Sequence, residues 1–84
     1  MLASKETVFE GNTLICIVDD EPIDGEVISV LDEGVDLCYL EGYKSRNEVV
    51  PWKDIVAKLD MRLPSISVGD GTYEGNFLEF KPDE

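Results

Sequence analysis

Between Asp19 and Glu41 the chain carries nine carboxylates and no Lys or Arg. They are Asp19, Asp20, Glu21, Asp24, Glu26, Asp32, Glu33, Asp36 and Glu41. Acidic runs of this density stay disordered when little apolar material interrupts them. Here Ile23, Val27, Ile28, Val30, Leu31, Val35, Leu37 and Leu40 are threaded through the run. The acids are therefore expected on folded strands, where they repel one another. Each neighbouring pair at about 8 Å costs ~0.5 kcal/mol in water before salt screening. Against a total stability of about 4–13 kcal/mol for a domain of this size, several such pairs matter. The acidity is either used to meet a basic partner or kept for solubility.

The rest of the chain repeats the strand pattern. Short apolar runs at close spacing are punctuated by Gly, Pro and Asp, which reads as all-β. Residues 13–18 are continuous and rich in β-branched side chains, as a strand covered on both faces would be. Residues 19–24, with Pro22, read as a loop, and residues 25–31 as a second strand. Asp32, Glu33 and Gly34 suit a hairpin turn into a third strand at 35–41. A turn at 42–46 leads to a short fourth strand at 47–50. Pro51, Trp52, Lys53 and Asp54 suit one 3₁₀ turn, and a fifth strand covers 55–60. Pro64 breaks the chain, and two further strands are expected at 65–68 and 76–81.

Eighty-four residues make one domain. Residues 12–60 form its expected core and 61–84 a C-terminal hairpin extension. No stretch approaches 18 apolar residues, so no membrane helix is expected. The first residues lack the apolar run of a signal peptide, which points to the cytoplasm. Cys16 and Cys38 lie in apolar runs without metal-site spacing, so both are expected reduced and buried.

Catalytic chemistry finds little support. Histidine is absent, removing the usual base and the commonest metal ligand. There is no phosphate-binding glycine loop and no nucleophile elbow. A calcium loop starting at Asp20 fails, because Pro22 and Leu31 fall where oxygen ligands belong. The expectation is a non-enzyme without cofactor or metal. The net charge of −12 disfavours direct binding to nucleic acid and to anionic membranes. Lys44, Arg46, Lys53 and Lys58 are the one basic concentration, set among Glu41, Glu48 and Asp54.

Five short strands with a 3₁₀ turn before the last follow the order of an SH3-like barrel. The segment from Tyr39 through Tyr43, Val49, Val50, Pro51 and Trp52 to Ile55 resembles the Tudor-type branch, as does Asp24-Gly25-Glu26-Val27 upstream. The resemblance implies a Tudor-like barrel over about residues 12–60. It also raises the idea of an aromatic cage for a methylated cation, built from Tyr39, Tyr43 and Trp52. Such cages usually draw an aromatic from the loop after the first strand, and residues 19–24 contain none.

The expected function is that of a non-catalytic protein-interaction module. Its acidic face would combine Asp19, Asp20, Glu21 and Asp24 with Asp32, Glu33 and Asp36, two bends gathered on one side. Tyr43 and Arg46 would give specificity at the rim against a basic protein surface. The rival expectation is a nucleic-acid mimic that inhibits a nucleic-acid-binding protein.

Overall fold

The computed structural model describes residues 2–69 and 71–81. Eight strands and one 3₁₀ turn make up its regular structure, and no α-helix occurs among the described residues. The strands are β1 (Thr13–Val18), β2 (Glu21–Val30), β3 (Gly34–Glu41), β4 (Lys44–Pro51), β5 (Ile55–Leu59), β6 (Ile66–Val68), β7 (Tyr73–Gly75) and β8 (Phe77–Glu79). The 3₁₀ turn spans Trp52–Asp54, between β4 and β5. Six strands form one antiparallel sheet in the order β4-β3-β2-β1-β5-β8, while β6 and β7 pair separately.

The connection between β4 and β5 forces this sheet to roll. In a flat sheet these two strands would stand four spacings apart, about 19 Å. The four Cα-to-Cα steps from Pro51 to Ile55 reach at most ~14 Å even when extended. Only a strongly curled sheet brings the two ends within that reach. The described ladders leave β4 and β8 as open edges.

Rolling separates an inner face from an outer one. Leu14, Cys16, Val27, Val35, Leu37, Val50 and Ile55 bury their side chains on the inside. Each fully buried aliphatic side chain contributes about 1.5–3 kcal/mol. Ala3, Val8 and Phe80 complete this core from the two flanking segments. The N-terminal piece is held by Lys58, whose Nζ donates to the Thr7 carbonyl at 2.6 Å and lies 5.4 Å from the Phe9 ring centre. Gly34 is required where β3 meets β4, because a Cβ there would run into the Val50 carbonyl.

The outer face is covered over one half only. Ile15 and Ala57 lie under Val68, with Ile66, Tyr73 and Phe77 packed around them. The β6–β7 hairpin thus roofs β1 and β5, so β1 is buried on both sides as its unbroken apolar run predicts. The Tyr73 hydroxyl donates to the Pro22 carbonyl at 3.3 Å. Residues 61–81 therefore divide their work: a C-terminal hairpin forms, but β6 pairs with β7 at Tyr73–Gly75 rather than with the strand expected at 76–81, and β8, which lies in that expected strand, joins the main sheet beside β5.

Candidate interaction face

Asp19 and Asp20 occupy a two-residue turn, since Val18 pairs directly with Glu21. Both take left-handed backbone, with φ of 51° and 64°. That geometry suits the twist of flanking strands, and Asp tolerates it better than most residues, although Gly is preferred. The expected loop at 19–24 is thus a tight turn followed by strand. Pro22 is accommodated because it pairs with Ile17 at a position whose nitrogen faces away from β1. On its other side, the β2–β3 ladder begins only at Gly25, opposite Tyr39.

Asp32 and Glu33 lie in the turn at the far end of β2, where the Leu31 N–H donates to the Gly34 carbonyl at 2.8 Å. A ten-residue strand rising about 3.3 Å per residue puts this bend at the opposite end of the sheet from Asp19 and Asp20. The two bends therefore do not gather on one side, which corrects the expected acidic face. Asp32 is occupied locally. It forms an ion pair with Lys5, and its carbonyl accepts the Trp52 indole N–H at 2.9 Å. The bond to the Lys5 ammonium holds the Asp32 carboxyl below its ordinary range.

Strand alternation brings a different set of acids together. Ile15, opposite Asp24, and Thr13, opposite Glu26, mark the outer face, and Glu26 faces Cys38. Asp36 sits on the same face, paired with Ser29 and Val49. The outer positions of β4 are Ser45, Asn47 and Val49. No outer position from β1 to β4 is a Lys or Arg. Three exposed aliphatic side chains accompany the acids: Ile28 at 44%, Leu40 at 74% and Val49 at 51% of full exposure. Thr13, Asp24, Glu26, Cys38 and Leu40 help line a shallow cleft of about 310 Å³ on this face. Asp24 reaches the roofing hairpin as well; after burial, its charge is the second cause that raises the Tyr73 phenol.

The predicted rim residues separate. Tyr43 stands fully exposed at the tip of the β3–β4 turn, beside Gly42 at φ 64°. Alternate turns of an antiparallel meander share an end, so Tyr43 lies at the end of Asp19, Asp20 and Glu21. Arg46 is on the inner side of β4, opposite Tyr39, with its Nε 3.3 Å from Glu41. Glu48 shares that side and accepts the Tyr39 hydroxyl at 3.3 Å. Tyr43 and Trp52 fall at opposite ends of β4, so these aromatics do not assemble a cage.

Sequence reasoning missed Glu26, Ile28, Leu40 and Val49 as members of one surface. Period-two spacing was the available signal, since 24 and 26 share a parity on β2 as 36 and 40 do on β3. Both cysteines are free. Cys16 is buried inside and its thiol is pushed up to about 12, first by burial and then by Asp54. Cys38 is half-buried on the outer face, where its Sγ lies 3.3 Å from the Ser45 hydroxyl. Among the described residues no group of three or more Cys, Asp or Glu is placed to hold a metal. No protein-family model matches the chain, and no curated protein or solved structure gives a significant match.

Proposed function

We propose that the chain is an SH3-like, Tudor-resembling barrel acting as a non-catalytic protein-interaction module. The strand order, the rolled sheet and the 3₁₀ turn before β5 support the fold reading. One observation carries the functional reading: the open half of the outer face bears Asp24, Glu26 and Asp36, exposed aliphatic side chains and no Lys or Arg at its strand positions. A basic protein segment with its own aliphatic residues complements such a surface in both charge and apolarity. Complementary charge speeds encounter and excludes acidic competitors, and the aliphatic contacts slow release.

The acidic turn extends this surface toward Tyr43. Asp19 and Asp20 hold backbone conformations in which Gly is less strained. Carboxylates kept there fit a role for charge at that end. Titration with a peptide rich in Lys, Arg and Leu, followed by amide NMR, tests the reading. Shifts are expected at Glu26, Asp36, Leu40 and Tyr43, and Asp24→Lys with Glu26→Lys should remove them. No shifts, or shifts confined to Asp32 and Glu33, would sink it. Competition by duplex DNA for a shared protein partner would favour the mimicry reading instead.

A further inference from the structure

Among the described residues the sheet has two open edges of unequal kind. β8 offers three residues, whereas β4 offers eight. Short edges are self-limiting, but a long one presents a row of unpaired backbone donors and acceptors. Which groups are unpaired follows from the two-residue turn at Gly42 and Tyr43. The pair flanking such a turn, Glu41 with Lys44, exchanges hydrogen bonds. By alternation Tyr39 with Arg46, Leu37 with Glu48 and Val35 with Val50 do the same. The backbone N–H and C=O groups of Ser45, Asn47 and Val49 consequently point away from β3, toward the open edge. Among the described residues no other strand pairs with β4 on that side.

We propose that β4 pairs antiparallel with β4 of a second copy of this chain, about a two-fold axis at Asn47. Charge selects both the partner and the register. A ladder using the outward groups must pair odd-numbered residues with odd-numbered residues. Centred on Asn47, it sets Ser45 against Val49 and Val49 against Ser45. The intervening positions then place Arg46 of each copy opposite Glu48 of the other, twice. Moving the axis one residue toward the N-terminus sets Arg46 against Arg46. Moving it the other way sets Glu48 against Glu48. Directly opposed like charges destabilise a sheet and opposite ones stabilise it; the N-terminal shift also sets Lys44 against Glu48 twice, so the Asn47 register is the one of the three with opposite pairs and no like pair.

The same strip is where two strongly acidic copies can approach. The chain carries −12 overall, yet β4 holds Lys44 and Arg46 against the single acid Glu48. At ~0.15 M salt, charges more than about 8 Å apart are screened, while facing Arg46 and Glu48 side chains lie within that distance. The two-fold axis stands perpendicular to the sheet, so both outer faces emerge on one side. Pairing over seven residues, 44–50, is a small interface, and self-association is expected to be concentration-dependent rather than obligate.

Sedimentation equilibrium up to the millimolar range, paired with amide exchange, tests the proposal. Expected are a monomer–dimer equilibrium and slower exchange at Ser45, Asn47 and Val49 as concentration rises. Val49→Pro removes one outward N–H without touching the β3 ladder and should weaken the dimer about tenfold or more. Arg46→Glu should weaken it similarly by setting like charges face to face, and Arg46→Glu with Glu48→Arg should restore it. The double variant keeps the proposal testable should Val49→Pro perturb folding, which circular dichroism would reveal. A monomer at every concentration, a dimer indifferent to Val49→Pro in a folded protein, or no rescue by the double swap would each overturn it.

Discussion

The two halves of the outer sheet face share one backbone architecture and meet opposite fates. Over β1 and β5, Ile15 and Ala57 disappear beneath the β6–β7 hairpin. Over β2 to β4, Ile28, Leu40 and Val49 stay open among Asp24, Glu26 and Asp36. Hydrophobic side chains therefore do not by themselves decide which surface is closed. What differs is the company they keep. Unpaired carboxylates are costly to desolvate, so a roof over Asp24, Glu26 and Asp36 would lose more than burying the aliphatics returns. The hairpin stops where the acids start, with Tyr73 at the boundary.

The sharpest way to break this contrast is to empty one position in each half. Ile15→Ala should cost about 2–5 kcal/mol by leaving a cavity under the hairpin. Ile28→Ala should stay within ~0.5 kcal/mol. Urea unfolding measures both, and equal losses would mean the open half is not open. Thiol labelling carries the contrast through the sheet. In native protein at neutral pH, Cys38 on the outer face should react with an alkylating reagent while Cys16 stays protected until unfolding. Cys16 is buried, and its thiol is raised to about 12; mass spectrometry of the labelled peptides reads the result.

Smaller effects probe the turn and the hairpin's tether. Asp20→Gly relieves left-handed backbone and one repulsive charge, and should stabilise the fold by about 0.5–1 kcal/mol. The same change should weaken binding of a basic peptide, setting stability against recognition at one residue. Asp60 anchors the segment leading to the hairpin, accepting the Arg62 guanidinium at 2.9 and 3.0 Å. Those bonds lower its carboxyl from 3.8 to about 2. A depressed carboxyl stabilises the fold above its ordinary range, and that contribution fades as pH falls from near 4 toward 2. Thermal melts should show this acid step in the native chain and lose it in Asp60→Asn.

Much of the scaffold was legible from residues. The bounds of β1 match the apolar run at 13–18, and the turn at Trp52–Asp54 and the strand after it fall where Pro51 and the following aliphatics place them. The membership of β4 was harder. Lys44, Ser45, Arg46, Asn47 and Glu48 lack an apolar face, and an edge strand wet on both sides needs none. The start of β2 was hidden for a separate reason: two aspartates do in the left-handed region what glycine usually does, so the turn looked like a loop. Ala3 and Val8 enter the core from a segment without strand periodicity, a long-range effect that local patterns do not carry. For the candidate face, the acids were visible but their grouping was not. Proximity in sequence suggested two neighbouring bends, whereas the length of β2 holds those bends apart.

The pairing of Cys16 with Ile55 also sets an order of events during folding. Hairpins between successive strands close small loops, whereas pairing β1 with β5 closes the much longer loop from Cys16 to Ile55, which favours its forming later. Until then one flank of the most apolar segment lies open to other chains, a period in which aggregation competes. The first 42 residues carry −10 of the total charge, so nascent chains repel one another while that flank waits. Pulse-labelled exchange during refolding should accordingly protect β2 and β3 before β5.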